Sequence, residues 1–345
     1  MKKGAAFSAF GIGFFIFLFI FSDEFASGMK TGLSNCARAV IPSLFPFMIA
    51  ATLTGYGELP EKIKRILTPL TKFFFGLPAD CFFAVITGQL GGYLAGAKAA
   101  ETLFSSGRLT QSQAGRLIMF SVNAGMGFSV NAVGSVMLRS RESGRILLAS
   151  LVISSLILGF ISKHSGCNEY ETKRLAPKEL SFSQAIVSSV SSAAISTLFA
   201  CAFVTVFSGV SEVMQSLIKN ETLRLAVSCI LEVTNGCFDA SGKISLPLIA
   251  AVCAFGGICV HLQVFSVAKE IKIDVARFYL FRIIHSALAY LICRIILYFF
   301  PIEQSVFLSF SGSAALWSFS APASVSLLFL SALLILDLDN KEKIW

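Results

Sequence analysis

Four short stretches put polar or ionisable side chains inside apolar runs, where such groups are costly and are functional candidates by default. The first is Gln89-Leu90-Gly91-Gly92-Tyr93-Leu94-Ala95-Gly96-Ala97-Lys98. Gly88, Gly92 and Gly96 recur every fourth residue, a spacing that fits close helix packing. It equally fits an unwound helix whose free backbone groups face a ligand. Lys98 then serves an anionic group or snorkels to the interface. The second stretch carries Asn123, Gly125 and Asn131. Amides at membrane depth bond a ligand or a neighbouring helix. The third is Ile230-Leu231-Glu232-Val233-Thr234-Asn235-Gly236. Glu232 either ligates a cation, holds a hydroxyl or amine of a substrate, or ties two helices together. The fourth carries Gly256, Gly257, His261 and Gln263. His285 stands alone among apolar residues and reads as structural.

One cation, one anion and several amides suit a small polar solute with both donors and acceptors, such as a nucleoside, sugar or zwitterion. A lipid tail would leave the amides without partners, at a few kcal/mol each. There is no ring of carboxylates for a divalent cation. HExxH, GxSxG and GxxxxGK[ST] are absent from the sequence, so no enzyme activity is expected. No CxxC or zinc spacing occurs among the nine cysteines, so neither metal nor cofactor is expected.

Membrane segments must position these residues. The chain has 345 residues, 55% hydrophobic and only 14% charged. A soluble fold could not hide that much apolar surface. At about 20 residues per span, the length allows roughly eight to eleven membrane segments. The net charge of +8 comes from Lys and Arg in short loops, which points to lipid headgroups and away from nucleic acid.

The segments divide as follows. Residues 1–22 form an uncleaved first span, and 23–40 an amphipathic interfacial helix with apolar residues every three to four positions. Residues 41–162 form a first half, 163–180 a polar linker, and 181–300 a second half. A loop, last span and polar tail occupy 301–345. Within the first half, Glu61 to Arg65 reads as a basic loop, and Ile66 to Phe75 is too short to span. Thr110 to Gln113 and Ser181 to Gln184 are capping-box patterns that start helices. Gly and Asn beyond Phe120 predict a discontinuous helix.

The halves resemble each other. A shift of 131 positions places Leu117 on Leu248, Gly125 on Gly256 and Ser135 on Ser266. With one more residue added, Arg145 falls on Arg277 and Ser154 on Ser286. The fold expected is all-α and polytopic, with two repeated, inverted halves whose discontinuous helices meet near the bilayer midplane. The charge rule leaves orientation open. Arg139, Arg141 and Arg145 lie before the span 146–161, and Lys163, Lys173 and Arg174 lie after it.

These stretches resemble the YlbJ family of sporulation integral membrane proteins, within the wider set carrying a gate or nucleoside-recognition domain. The resemblance runs roughly from Leu33 to Leu297. It is carried by Ile41-Pro42-Ser43-Leu44-Phe45-Pro46-Phe47, Gly91-Gly92-Tyr93 with Gly96-Ala97-Lys98, and Asn123-Ala124-Gly125. Leu231-Glu232 with Thr234 and Gly236, and Gly256-Gly257 with Gln263, complete it. Leu94 and Met126 stand where the family usually has proline. The resemblance implies a protein of the bacterial cytoplasmic membrane needed for spore cortex or coat maturation. The expected function is a secondary-transporter-like permease for a small polar solute lying between Gln89, Asn123, Glu232 and Gln263. The alternative is a non-transporting scaffold that recruits sporulation proteins. The bilayer and the solute are the expected partners, and assembly with further copies of the chain is left open.

Overall fold

The computed structural model describes residues 2–57, 59–163 and 181–302. Among them every regular element is a helix. The loop, last span and tail expected beyond 302, and the linker beyond Lys163, lie outside the described residues.

Helix α1 (Lys2–Ile20) meets α2 (Ser22–Asn35) at a bend of 93°. The stretch 23–40 is helical and runs through a π turn, Cys36–Val40, into α3 (Ile41–Tyr56). Gly28 and Gly32 let α2 lie on Ser208 and Gly209 of a later helix. A Cβ on Gly32 would come within 2.8 Å of the Ser208 side chain. Next comes α4 (Glu61–Phe75). The basic loop expected at Glu61 to Arg65 is therefore the first turn of a helix. Its charges belong to an amphipathic repeat that continues to Phe75. Then follow α5 (Cys81–Gly91), α6 (Tyr93–Ser105), α7 (Gln111–Ser121), a π-helix (Gly127–Met137) and α8 (Arg141–Ser162). The second half contains α9 (Phe182–Leu217), α10 (Glu221–Leu231), α11 (Val233–Ala240), α12 (Leu246–Phe255), α13 (Gly257–Val267) and α14 (Val275–Phe299).

Among the described residues four stretches are long and apolar enough to cross a membrane: Arg141–Ser162, Phe182–Leu217, Leu246–Val267 and Val275–Phe299. The bent pair α1 and α2 makes up to five. Of the shorter apolar helices, α5 and the π-helix are cut short where the chain turns back or breaks inside the bundle, whereas α3 continues from the π turn Cys36–Val40.

Helix α8 defines two ends of the molecule. At its Lys163 end, the Lys163 ammonium donates to the Phe73 carbonyl at 3.1 Å, and Gln111 donates to that of Lys272 at 3.1 Å. At the same end Arg108 lies 3.7 Å from Asp80 and donates to the Tyr56 carbonyl at 3.0 Å. Asp80 precedes α5 and Arg108 follows α6, so these two helices form a hairpin that opens at the Lys163 end. At the Arg141 end, Ser241 donates to the Met137 carbonyl at 2.7 Å, and Lys243 lies 3.1 Å from Glu221. Glu221 opens α10 and Lys243 follows α11, so this second hairpin opens at the opposite end. Helix α7 with its π continuation runs from the Lys163 end to the Arg141 end. Helices α12 and α13 run the other way.

Candidate functional site

Each hairpin turns, and each paired helix breaks, at residues the sequence marked. Gly92 sits between α5 and α6 at φ +104°, a conformation that side chains rarely adopt. The Gly spacing closes the hairpin on itself. A Cβ on Gly88 would lie 3.1 Å from the Gly96 Cα, and both glycines press on the Ser121 carbonyl. Helix α7 stops at Ser121, and Val122 to Gly125 are non-helical. These breaks form without proline at Leu94 or Met126. In the second half the breaks fall at Glu232 and Gly256.

The four interruptions touch. A Cβ on Gly125 would come to 2.5 Å of the Gly92 nitrogen and 2.6 Å of the Leu90 oxygen. A Cβ on Gly257 would come to 3.2 Å of the Val233 nitrogen and 3.3 Å of the Leu231 oxygen. Tyr93 joins the two pairs. Its hydroxyl donates to the Cys253 carbonyl at 2.6 Å, and a Cβ on Gly256 would meet its ring at 3.3 Å.

A broken helix leaves carbonyls at one side of the gap and N–H groups at the other. Buried side chains take up many of them here. Glu232 is 1% exposed and accepts from the Thr234 and Asn235 nitrogens at 3.0 and 2.8 Å. It therefore caps the start of α11. Arg282 of α14 is fully buried, donates to the Val122 carbonyl at 2.6 Å and also bonds the Met119 carbonyl. It thus caps the end of α7, where a cation complements the helix dipole. Ser155 of α8 donates to the Phe120 carbonyl at 2.6 Å.

Among the proposed site residues, Gln89 and Asn123 are brought together. The Asn123 side chain donates to the side-chain oxygen of Gln89 at 2.6 Å, and the Gln89 amide nitrogen donates to the Ser155 hydroxyl at 2.6 Å. Asn235 donates to Ser208 of α9 at 3.1 Å. Gln263 donates to Cys259 on its own helix at 3.1 Å. Lys98 is turned to Glu101 at 2.8 Å, toward the open end of its hairpin. His261 bonds the Phe255 carbonyl at 2.7 Å. Among the described residues the buried Ser121 hydroxyl, at the α7 break, has no hydrogen-bond partner. So Gly92, Tyr93, Gly125, Gly256 and Gly257 form the contact between the breaks. Gln89 and Asn123 lie on one side of it, and Glu232, Thr234 and Asn235 on the other.

Sequence reading passed over Arg282, Ser155 and Ser208. The rule that selected Glu232 also selects Arg282, an ionisable residue inside the apolar run 278–300. The two serines carry no comparable signal, because serine is common along both α8 and α9.

This architecture defines an all-α polytopic membrane protein with helical hairpins that turn back inside the bundle. The chain is similar to the sporulation integral membrane protein YlbJ of Bacillus subtilis (strain 168), at 29% identity over 166 residues. The match bears out the YlbJ-like resemblance carried by the motifs. It covers 47% of this chain and 40% of that protein, well under two thirds of the relative's length. No family model matches the chain, and no solved structure matches it.

Proposed function

We propose that the chain is a secondary-transporter-like permease of the bacterial cytoplasmic membrane that moves a small polar solute during sporulation. One observation carries this reading: four helix interruptions abut, and the two hairpins among them come from opposite ends of the molecule. Inverted repeats around a shared site produce that arrangement, and the 131-position offset between the halves supports the same reading. Rocking of one half against the other would then expose the site to each side in turn. The solute would exchange hydrogen bonds with Gln89, Asn123 and the unpartnered Ser121 hydroxyl. Glu232 with Thr234 and Asn235, and Gln263, would complete the lining. Spore cortex or coat maturation is the step such transport would serve.

The test is a melting screen of the purified protein against nucleosides, sugars and zwitterions, followed by solute uptake into proteoliposomes. A true ligand at about 100 times its dissociation constant adds roughly 2.7 kcal/mol of stability. If long-chain lipids shift melting and no polar solute does, the permease reading is wrong. A scaffold that recruits sporulation proteins is the second reading. It is favoured by the way Glu232 and Gln89 already have protein partners.

A further inference from the structure

Helix α4 turns its apolar side away from the protein. Ile63, Ile66, Leu70, Phe73 and Phe74 fall within one stripe at helical spacing. All five are exposed, Ile66 at 72% and Phe73 at 63%. The bundle is met by a different face. Thr71 and Phe75 are buried, and the Phe75 ring stacks on Phe120 with centroids 4.9 Å apart. Arg65 and Lys72 lie on the side away from the apolar stripe and Lys62 borders it, all three exposed. The helix has one acid, Glu61, which is paired with Lys64 at 3.4 Å.

The helix is held in this pose by its C-terminus. Gly76 ends it in the left-handed conformation at φ +62°. Arg116 donates to the Gly76 carbonyl at 2.8 Å, and Lys163 donates to that of Phe73. The Lys163 ammonium also sits 5.6 Å from the centre of the Phe73 ring. These contacts fix α4 at the Lys163 end of the bundle, with three separate faces: apolar, basic and protein-bound. Fifteen residues are too few to cross a bilayer. A stripe this apolar is not stable against water. A helix with one lipophilic and one basic face satisfies both constraints by lying in the membrane surface.

We propose that α4 is an interfacial helix that collects anionic phospholipid. Its apolar stripe sits among acyl chains, and Lys62, Arg65 and Lys72 face headgroup phosphates. The argument for lipid over a protein partner is charge: three exposed cations, one at the stripe's edge and two away from it, accompany the apolar stripe, and the helix's one acid, Glu61, is already paired with Lys64. The inference is independent of any solute at the helix interruptions.

The test uses the full chain in nanodiscs. Its two tryptophans, Trp317 and Trp345, are replaced by Phe, and Ile66→Trp supplies one reporter on the apolar stripe. Its fluorescence is quenched with brominated phosphatidylglycerol or brominated phosphatidylcholine at equal mole fraction. The expected result is quenching by both, stronger by about twofold or more for the anionic lipid. Adding Lys62→Gln, Arg65→Gln and Lys72→Gln should remove that preference and leave the quenching. Melting temperature and size-exclusion elution check that each variant is folded. Equal quenching by the two lipids would overturn the proposal, as would a preference that survives the triple substitution. Water-like emission without quenching would place the helix outside the bilayer. Blue-shifted, unquenched emission that depends on protein concentration would show that another copy covers the stripe.

Discussion

The contact between the α5–α6 turn and the α7 break can be tested by adding one methyl group. Gly125 has backbone atoms of Gly92, Leu90 and Gly91 within 2.5 to 2.7 Å of where a Cβ would stand. Real Cβ contacts with such atoms are ordinary only from about 3.4 Å, so Gly125→Ala must separate the two segments by most of an ångström. The obstruction is main chain, which cannot swing aside as a side chain can. Overpacking of this kind costs about 1–3 kcal/mol, and the rigid neighbours put Gly125 at the upper end. Gly115, inside α7, is the control. Nothing lies within 4 Å of its added Cβ, and replacing a helix-interior glycine with alanine stabilises by about 0.5–1 kcal/mol. Thermal melting of the two variants in the same detergent should therefore move in opposite directions. Gly125→Ala should melt roughly 2–4 °C lower, and Gly115→Ala should melt no lower than the parent. A Gly125→Ala protein that melts with the parent would refute the packing of these two interruptions.

Three further outcomes follow from the caps and the bridge. Glu232→Gln keeps one acceptor oxygen and turns an amide N–H toward the other helix donor, so melting should fall by an amount equivalent to about 1–3 kcal/mol. Spores of a strain carrying it then separate the readings: normal heat resistance supports a purely structural Glu232, and its loss with intact membrane insertion supports a role in solute handling. Arg282→Leu leaves the Met119 and Val122 carbonyls without a donor and should sharply lower the yield of folded protein. Arg282→Lys, which can reach one of them, should restore part of that yield on size-exclusion chromatography, and equal yields for both variants would discount the cap. Tyr93→Phe removes the bond to the Cys253 carbonyl and should lower the melting temperature by the equivalent of about 1 kcal/mol. An unchanged melt would show that this bridge carries no stability.

Much of this was legible in the residues. The capping boxes place two helix starts: Thr110 accepts from the Gln113 nitrogen at 3.2 Å, and Ser181 from that of Gln184 at 3.4 Å. Gly92, Asn123, Glu232 and Gly256 mark all four interruptions, because glycine and buried polar groups interrupt an apolar helix wherever they are tolerated at all. The sense of each interruption was not legible. A span broken in the middle and a hairpin that turns back both read as two short apolar helices around a gap. Only pairs distant in sequence, such as Asp80 with Arg108 and Glu221 with Lys243, distinguish them. The Gly88, Gly92 and Gly96 spacing fits close packing or an unwound helix, and the structure shows both: the chain turns at Gly92, while Gly88 and Gly96 press on each other and on the Ser121 carbonyl of α7. Lys98 reads from its own position as a ligand cation or a snorkelling one, and its partner is instead Glu101, three residues on in the same helix, at 2.8 Å.

The hairpins also bear on how the protein is made. Their arms have 11, 13, 11 and 8 residues, and each falls well short of the roughly 20 residues that let a segment partition into the bilayer by itself. Neither hairpin can therefore be threaded across the membrane one arm at a time during synthesis. Each must settle as a unit into a bundle whose long spans are already in place. For the first hairpin that bundle is incomplete until late, since Arg282, which closes the α7 break against which it packs, lies in α14. The first half of the chain thus waits on the second to finish folding. A ribosome stalled before α14 should leave residues 81–137 open to protease and to thiol reagents.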